Sequence, residues 1–386
     1  MRCSPALVAE AVTAEAEALA VARAYADAES RILSRIAAAV AASLSAPDFE
    51  RVALARLQLL RFEALAELSA LSPVVAQQIT DALAVEYATA GAAMLADIRD
   101  EVPEVLAAAT QVRAGTRALA RELTESLGSV VAPVLRNVDD AFRSIVGSVV
   151  QTALARGVSR RVAAQEALDR TFARGLQFRD AGGRLWRLPD YTEMATRTGL
   201  AKATIAGHEA ALDQAGLDLC IVQPGPRACS ICDKWARAVL SRSGVTGTYS
   251  ARNELTGGTI KVHVDDTLAA ARAAGFQHPN CRCRLRAYIP GVTKRDTLVR
   301  PPWDEEGYHA QQRQRSIERD IRQAKLVQSL SLDESRAQLA AASVKQQQAR
   351  MRSHIAEHPD LKRRSEREQI TGRFATPAER RRAVRR

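Results

Sequence analysis

Apolar side chains recur at steps of three and four residues through most of the first 175 positions, which is the period of an amphipathic α-helix. One such stripe consists of Leu54, Leu57, Leu60, Phe62, Leu65 and Leu68. A stripe of this kind is stable only when it is covered, so it predicts helix-on-helix packing within the chain or between subunits. Residues 1–175 are therefore predicted to form a helical association domain.

Prolines and glycines predict where these helices begin and end. Pro47, Pro73 and Pro103 are each predicted to lie near a helix start, because proline lacks a backbone N–H and the first turn of a helix does not need one. Gly128 and Gly157 predict later helix boundaries.

The pattern changes near residue 176, where short apolar runs separated by turn-forming residues replace the long stripes. The turn-rich stretch 180–183 between apolar residues predicts a β-hairpin. Residues 176–291 are therefore predicted to form a small α+β domain. The elements predicted after the hairpin are a helix over 191–214 with Asp190 as its N-cap, a strand from 217 to about 223, a second hairpin within 241–264, and a short helix that begins at Asp265 or Asp266 and ends at Gly275.

The last part of the chain, residues 292–386, is predicted to be a helical, basic tail. It holds 22 Lys or Arg and 13 Asp or Glu, a net of +9 out of +11 for the whole chain. A charge concentrated in this way favours a negatively charged partner, with nucleic acid as the first candidate. The final "ERRRAVRR" is predicted to be disordered because it offers almost nothing to bury.

Composition narrows the fold class further. Aromatic residues make up only 4% of the chain, which favours a mainly α protein over a β-sandwich with a large aromatic core. Glu10, Glu15 and Glu17 interrupt the first apolar run, so it does not have the pattern of a signal peptide. The sequence has no run of about 18 uncharged apolar residues, so no membrane span is predicted. We therefore expect a reducing compartment, where clustered cysteines bind metal more often than they form disulfides.

Four of the six cysteines lie in two short segments, "RACSICDKW" and "GFQHPNCRCRLRAYIPG". The first segment holds Cys229 and Cys232, and the second holds His278, Cys281 and Cys283. Two residues between thiolates allow both to face one ion, and Zn²⁺ prefers four sulfur or nitrogen ligands. The spacing predicts one structural Zn²⁺ bound by four of these five residues, with His278 and Cys283 competing for the fourth place. The alternative is a redox-active C-x-x-C, but such a pair usually opens a helix in a βαβ unit.

Five segments in a fixed order carry a resemblance to a known family. They are "FRDAGGRLWRLPDYTEMATRTGL", "CIVQPGPRACSICDKW", "GFQHPNCRCRLRAYIPG", "QQRQRSIERDIRQAK" and "MRSHIAEHPDLKRRSEREQI". Together they resemble the phage minor capsid proteins, within the broader group of Mu-F-like head morphogenesis proteins. Two positions depart from the pattern. Many relatives have His in place of Cys283, and much of the wider group has Glu after the Arg197–Thr198 pair, where this chain has Gly199.

The resemblance implies a component of the virion or procapsid that is in the host cytoplasm during assembly. Its implied partners are the portal, a scaffold or the major capsid protein, and it implies no enzymatic activity and no membrane. Residues 292–386 would be free to meet packaged DNA.

Two other classes of function stay open from the residues alone. A metal-dependent nuclease would use His263 as a base with Asp265 and Asp266 near a catalytic ion. A zinc-containing DNA-binding protein would need a recognition helix beside the metal, and the helix after Asp266 offers only Arg272. Arg197 is predicted to be structural, with its guanidinium bonded to a carboxylate or to carbonyls so that it orients the hairpin.

Overall fold

A computed structural model describes residues 5–102, 116–225, 227–295, 303–332 and 334–370. Helices account for most of these residues, and the strands lie together in the middle of the chain, so the predicted mainly α fold is confirmed. No helix among the described residues combines the length and the apolar character needed to cross a bilayer. The helices are α1 (Pro5–Ala41), α2 (Phe49–Leu54), α3 (Leu57–Glu101), α4 (Thr116–Gly128), α5 (Val131–Arg156), α6 (Arg160–Arg174), α7 (Leu188–Gln214), α8 (Ser230–Asp233), α9 (Leu268–Ala273), α10 (Glu305–Ser329) and α11 (Glu334–Glu357).

The largest core is formed between helices α1, α3, α5, α6 and α7. Leu57, Leu60 and Leu68 from the predicted stripe are buried in it. The prediction was wrong for Phe62 and Leu65, which lie toward the other side of α3 and are exposed. Helix α7 lies against both α1 and α3. The closest approach is at Gly207, where a Cβ atom would stand 2.3 Å from the carbonyl oxygen of Tyr87. Only a glycine allows the two helix backbones to meet at this distance.

Three of the five predicted helix boundaries are confirmed. Pro47 precedes α2, α4 ends at Gly128, and Gly157 follows α5 in a left-handed conformation. The prediction for Pro73 was wrong, because this residue lies inside α3. Leu71 and Val75 on either side of it are buried, so core packing carries the helix past the hydrogen bond that proline removes. Pro103 lies outside the described residues.

The predicted hairpin is present as β1 (Gln177–Arg179) paired with β2 (Leu185–Arg187). Asp180 closes its turn, since its carboxylate accepts from the Arg184 N–H at 2.9 Å and from Trp186 Nε1 at 2.8 Å. Helix α7 follows at once and begins at Leu188, three residues earlier than predicted. Asp190 is therefore in the first turn rather than at the N-cap, because a proline at the helix start is already compatible with helical geometry.

A four-stranded sheet lies beside the helical core, in the order β7-β4-β3-β8. Its central strand β3 pairs antiparallel with β4 and β8, and its inner face packs on Met94 and Ile98 of α3 and on Leu212 of α7. Strand β3 and the β5–β6 hairpin match the predicted strand and second hairpin. The strands are β3 (Leu219–Gln223), β4 (Val239–Ser241), β5 (Gly247–Arg252), β6 (Thr259–Val264), β7 (Asp266–Thr267) and β8 (Arg284–Ala287).

The predicted cap of the short helix α9 was wrong. Thr267 caps it, with its hydroxyl accepting from the Ala270 N–H at 2.9 Å. The Asp265 carboxylate is engaged elsewhere, because it accepts from the Val239 N–H at 2.7 Å and pairs with Arg295 at 3.0 Å. A carboxylate that joins two strands in this way is not available to a helix end.

The C-terminal helices α10 and α11 form an antiparallel pair around Ile317, Ile321 and Met351. Helix α10 also packs on α6, and a 3-10 helix over Ser365–Glu368 returns to α10. The division of the chain after residues 175 and 291 stays a prediction, and the predicted disordered end lies outside the described residues.

Candidate metal centre

Strand pairing brings the two cysteine segments together. Strands β3 and β8 run antiparallel, with Gln223 opposite Arg284. The segment that follows β3 and the segment that precedes β8 are therefore neighbours in space, although about 45 residues separate them along the chain. Cys229 is the N-cap of the one-turn helix α8, and Cys232 lies within that turn.

The five predicted ligands lie in one cluster. Cys229 Sγ is 2.9 Å from His278 Nε2, and Cys232 Sγ is 3.3 Å from Cys281 Sγ. Two groups of three have ligand atoms within 4.8 Å of one another: Cys229 with Cys232 and His278, and Cys232 with Cys281 and Cys283. Cys232 belongs to both groups, so the two groups adjoin at this residue. Four of the five donors must be chosen for a tetrahedral ion, and that choice stays a prediction.

The loop before β8 turns sharply so that His278 and Cys281 face the same point. Gln277 and Asn280 have positive φ angles of 59° and 66°, which residues other than glycine rarely adopt. His278 Nδ1 lies 2.7 Å from the Pro279 carbonyl oxygen. A carbonyl accepts only, so Nδ1 carries a proton and Nε2 is the ring nitrogen that faces Cys229.

Two of the thiols are held in a metal-binding state. Burial alone would raise the pKa of Cys229, but hydrogen bonds from the Cys232 N–H and from His278 lower it overall. The pKa of Cys281 falls to about 3, because the Cys232 and Cys283 thiols and the Cys283 N–H donate to its sulfur. Thiolates, not thiols, bind metal ions. One cysteine from each segment is therefore prepared as a ligand.

The donor set suits Zn²⁺. Zinc takes thiolate sulfur at about 2.3 Å and imidazole nitrogen at about 2.0 Å, which places two sulfurs of a tetrahedron about 3.8 Å apart. The Cys232–Cys281 pair at 3.3 Å would open by about half an ångström to reach that spacing. Cysteine and histidine groups of this cluster are thus close enough to hold a metal ion.

Arg197 and Thr198 hold the ligand loop from outside. Arg197 Nη1 donates to Asn280 Oδ1 at 2.9 Å, and the Asn280 N–H donates to Thr198 Oγ1 at 3.3 Å. Arg197 also pairs with the Glu193 carboxylate. Its predicted bond to a carboxylate is confirmed. The segment that it orients is the loop over residues 277–283, called the metal loop below, and not the hairpin. The only sequence signal for this contact was that both segments belonged to the same resemblance.

The departure at Gly199 has a packing cause. A Cβ atom there would stand 2.6 Å from Cδ2 of Leu123 on α4. A longer side chain at this position would displace the Leu123 side chain, so the glycine leaves room for Leu123 between these two helices.

The residues of the nuclease alternative do not assemble around a metal. His263 lies on β6 with its Nδ1 3.0 Å from Thr248 Oγ1. Among the described residues, it belongs to none of the groups that could hold an ion. Asp265 is occupied by β4 and Arg295, as described above, and Asp266 accepts from the Thr267 N–H.

The residues of the DNA-binding alternative do not form a recognition surface beside the metal cluster either. Arg272 of α9 is paired with Glu209 and donates to Gln277 Oε1 at 2.8 Å. Helix α9 is only six residues long, so it is short for a recognition helix in a major groove.

Sequence reasoning missed a third group, formed by His354, Glu357 and His358. Its signal was the spacing of three and four residues, which places all three on one side of the C-terminal end of α11, with His358 just after its last residue. His354 is buried and its Nε2 donates to the Ala310 carbonyl at 2.9 Å. That bond joins α11 to α10, so the contact is explained by packing alone.

Comparison with known families gives the class of this mainly helical chain, which is that of a phage capsid protein. The family model described as phage minor capsid protein 2 matches residues 14–356, a segment that includes the whole cluster. The chain therefore belongs to this family. No curated protein sequence and no solved structure matches it.

Proposed function

We propose that this protein is a minor structural component of the phage head that acts in head morphogenesis. The single observation that carries the proposal is the family match over residues 14–356. The expected partners are the portal, a scaffold or the major capsid protein, and the expected places are the host cytoplasm during assembly and then the virion.

An exposed apolar face on α3 supports a role in assembly. Leu59, Phe62 and Leu65 lie three residues apart along this helix and are exposed, Phe62 to 69%. Exposed apolar side chains gathered on one face of a helix are typical of surfaces that bind other proteins. The proposed role of the helical region is therefore association with another head protein.

We further propose that the cluster binds one structural Zn²⁺. Cys229, Cys232 and Cys281 are three of its ligands, and the 2.9 Å contact of His278 with Cys229 favours His278 over Cys283 as the fourth. Bound there, the ion would tie the end of β3 to the start of β8. Four protein ligands leave no open position for a reacting water, so the proposed role is structural and not enzymatic.

Contact with packaged DNA is proposed for residues 292–386, on the strength of their net charge of +9. Such contact would be made to phosphates and would not depend on sequence.

The test of the proposed function is a phage carrying Cys229→Ser in this protein, compared with a phage carrying Cys220→Ala. Cys220 is a buried cysteine of β3 outside the metal cluster, so its variant controls for the loss of a thiol. We expect the wild-type protein in purified particles by mass spectrometry. The Cys229→Ser phage should give fewer or defective heads. Normal yields of infectious particles that lack the protein altogether would overturn the assembly role.

A further inference from the structure

A pocket of about 320 Å³ lies between the metal loop, α7 and α10. Its walls combine residues that are far apart in the chain, from Trp186 on β2 to Arg367 in the 3-10 helix. All five candidate zinc ligands lie on one side of it, and α10 forms the other side. The family match and the metal cluster leave this space unexplained.

The described residues that line the pocket are strongly basic. Seven are arginines, whereas only Asp190 and Glu193 are carboxylates. Further acids pair with the lining arginines but do not line the pocket themselves, and they are Glu15, Glu318, Asp304 and Asp360. Arg367, for example, bonds to Glu318 at 2.6 Å and to Glu193 at 2.7 Å. The pocket therefore presents a surface of guanidinium groups, with part of the balancing charge placed behind them.

Some of these guanidinium groups have N–H donors that are not used by the acceptors within the described part of the chain. Each guanidinium has five N–H donors, and a carboxylate partner uses one or two of them. The Nε atoms of Arg197 and Arg227 are buried and make no hydrogen bond within the described part of the chain. Arg227 Nε has an ionic contact of 3.8 Å with Asp304. Among the residues that the structure describes, the one ion pair of Arg319 is a long contact of 3.9 Å with Asp190. Buried donors without a partner are costly, and a bound acceptor would remove that cost.

The positive charges also act on one another. The pKa of Arg315 is lowered to about 10, because burial and the neighbouring charges of Arg197, Arg367 and Arg282 outweigh the nearby Glu15. An anion placed among these groups would relieve their repulsion.

We propose that this pocket binds an oxyanion of the phosphate class. Arginine forks from several directions match the oxygens of a tetrahedral phosphate, with which they form paired, charge-assisted hydrogen bonds. The volume admits a phosphate together with part of the molecule that carries it. The same chemistry is offered by free phosphate and by the terminal phosphate of a nucleic acid strand, and the test separates these two sources.

Arg319→Gln is the variant that tests the site. Arg319 lines the pocket, but its side chain is 41% exposed and makes no bond that holds elements together at short range, so the fold should survive. The matched control is Arg313→Gln, which removes the same charge from an exposed position of α10 outside the pocket lining. Arg319→Lys keeps the charge but loses the fork.

The measurement is calorimetric titration of the full, zinc-loaded chain with inorganic phosphate at constant ionic strength. We expect saturable binding to the wild type, weakened about tenfold by Arg319→Gln, which corresponds to the loss of one charged hydrogen bond. Arg313→Gln should bind as the wild type does, and Arg319→Lys should fall between the two. The absence of saturable phosphate binding up to about 10 mM, the range of a weak site, would overturn the proposal. An equal loss of affinity in Arg319→Gln and Arg313→Gln would overturn it as well.

A second titration identifies the source. A short oligonucleotide with a 5′-phosphate is compared with the same strand ending in a 5′-hydroxyl, each in competition with inorganic phosphate. Tighter binding of the phosphorylated strand, lost in Arg319→Gln, supports the pocket with a nucleic acid end as its ligand. Equal binding of both strands, with free phosphate still sensitive to Arg319→Gln, supports the pocket with a free oxyanion as its ligand. Either result is independent of the role in head assembly.

Discussion

Single residues decide the chemistry of the candidate metal centre, and their roles differ within the cluster. Cys229 and Cys281 have lowered pKa values, so they are prepared as thiolates. Cys232 lies between them and contacts both segments. Removing any one ligand of a closed tetrahedral site should release the ion.

The first prediction is that the wild-type chain carries about one Zn²⁺, as a single four-ligand site requires. Cys229→Ser should lower the zinc content severalfold and unfold the sheet region, because structural zinc contributes on the order of 10 kcal/mol to small domains. Elemental analysis of protein purified without added metal measures this directly. His278→Ala should lose zinc while Cys283→Ala keeps it.

Cys220→Ala is the control for this experiment and should retain full zinc content. A fully folded wild-type chain without metal would contradict the structural role of the ion. Loss of zinc from Cys283→Ala but not from His278→Ala would reverse the proposed choice of the fourth ligand.

Glu29 is a second residue whose surroundings dominate its chemistry. It is buried, it accepts from the Leu176 N–H at 2.5 Å, and its pKa is raised to about 7, first of all by burial. Its ordinary value is 4.5, so the folded protein holds a proton on Glu29 that the unfolded chain has already released. Stability from this group is complete below pH 4.5 and is lost as the pH rises to 7.

The second prediction is that Glu29→Gln removes this pH dependence. The wild type should lose about 3 kcal/mol of unfolding free energy between pH 4.5 and pH 7 through this residue, whereas the variant should not, because glutamine does not titrate. Urea unfolding of both proteins across this range gives the difference. Glu15, whose pKa is lowered to about 2, affects stability only at more acid pH. Parallel pH profiles for the two proteins would show that Glu29 is not protonated in the fold.

At the scale of elements, periodicity predicted the helices well but not how closely they pack. Helices α3 and α7 touch at Gly207, where a Cβ atom would also meet the Gly91 nitrogen at 3.1 Å. Gly147 in the interior of α5 is different, because no described heavy atom outside the adjoining backbone of its own helix lies within 4 Å of the position of its Cβ. The sequence does not distinguish these two helical glycines.

The third prediction uses this pair. Gly207→Ala should destabilise the fold by about 2 kcal/mol or more, since the methyl group forces two helix backbones apart. Gly147→Ala should instead stabilise it by roughly 0.5–1 kcal/mol, because alanine loses less backbone entropy in a helix. Thermal and urea unfolding of the two variants measures both effects. Equal effects in the same direction would mean that α3 and α7 are not in backbone contact.

At the scale of the whole molecule, the basic tail has two parts with different roles. Arg315 and Arg367 lie within the tail, yet they pair with Glu15 of α1 and Glu193 of α7. These charges are engaged inside the protein and line the pocket, so they are not available to the backbone of packaged DNA. Residues 371–386 carry six arginines and one glutamate, which makes them the better candidate for DNA.

The fourth prediction is that a chain ending at Ile370 keeps its fold but loses most DNA affinity. The salt dependence should also flatten, by about 0.9 log units per log unit of salt for each phosphate contact removed. Binding of a random-sequence duplex to both chains at several salt concentrations provides the measurement. Removal of the whole tail after Pro290 would not test this prediction, because it also removes the arginine partners of Glu15 and Glu193. Unchanged affinity after removal of 371–386 would assign DNA contact to another surface or to none.

The sequence by itself determined the features that depend on near neighbours in the chain. Helical stripes, the first hairpin and the cysteine spacing follow from local periodicity, turn chemistry and ligand geometry, and each is present. Pro73 and the cap of α9 were predicted wrongly because tertiary contacts outweighed the local preference. Local signals are strong where the interacting groups are only a few residues apart.

Only the tertiary structure decided which charges face one another. Glu15 and Arg367 lie 352 residues apart and are joined at 3.3 Å, and Arg197 meets Asn280 across 83 residues. A guanidinium can pair with any carboxylate, so composition alone gives many equivalent partners. The packing of α7 and α10 around the metal loop selects among them, and it creates the arginine-lined pocket as a consequence. Burial then raises the cost of a wrong or missing partner, which is why these pairs depend on the fold and not on the sequence pattern.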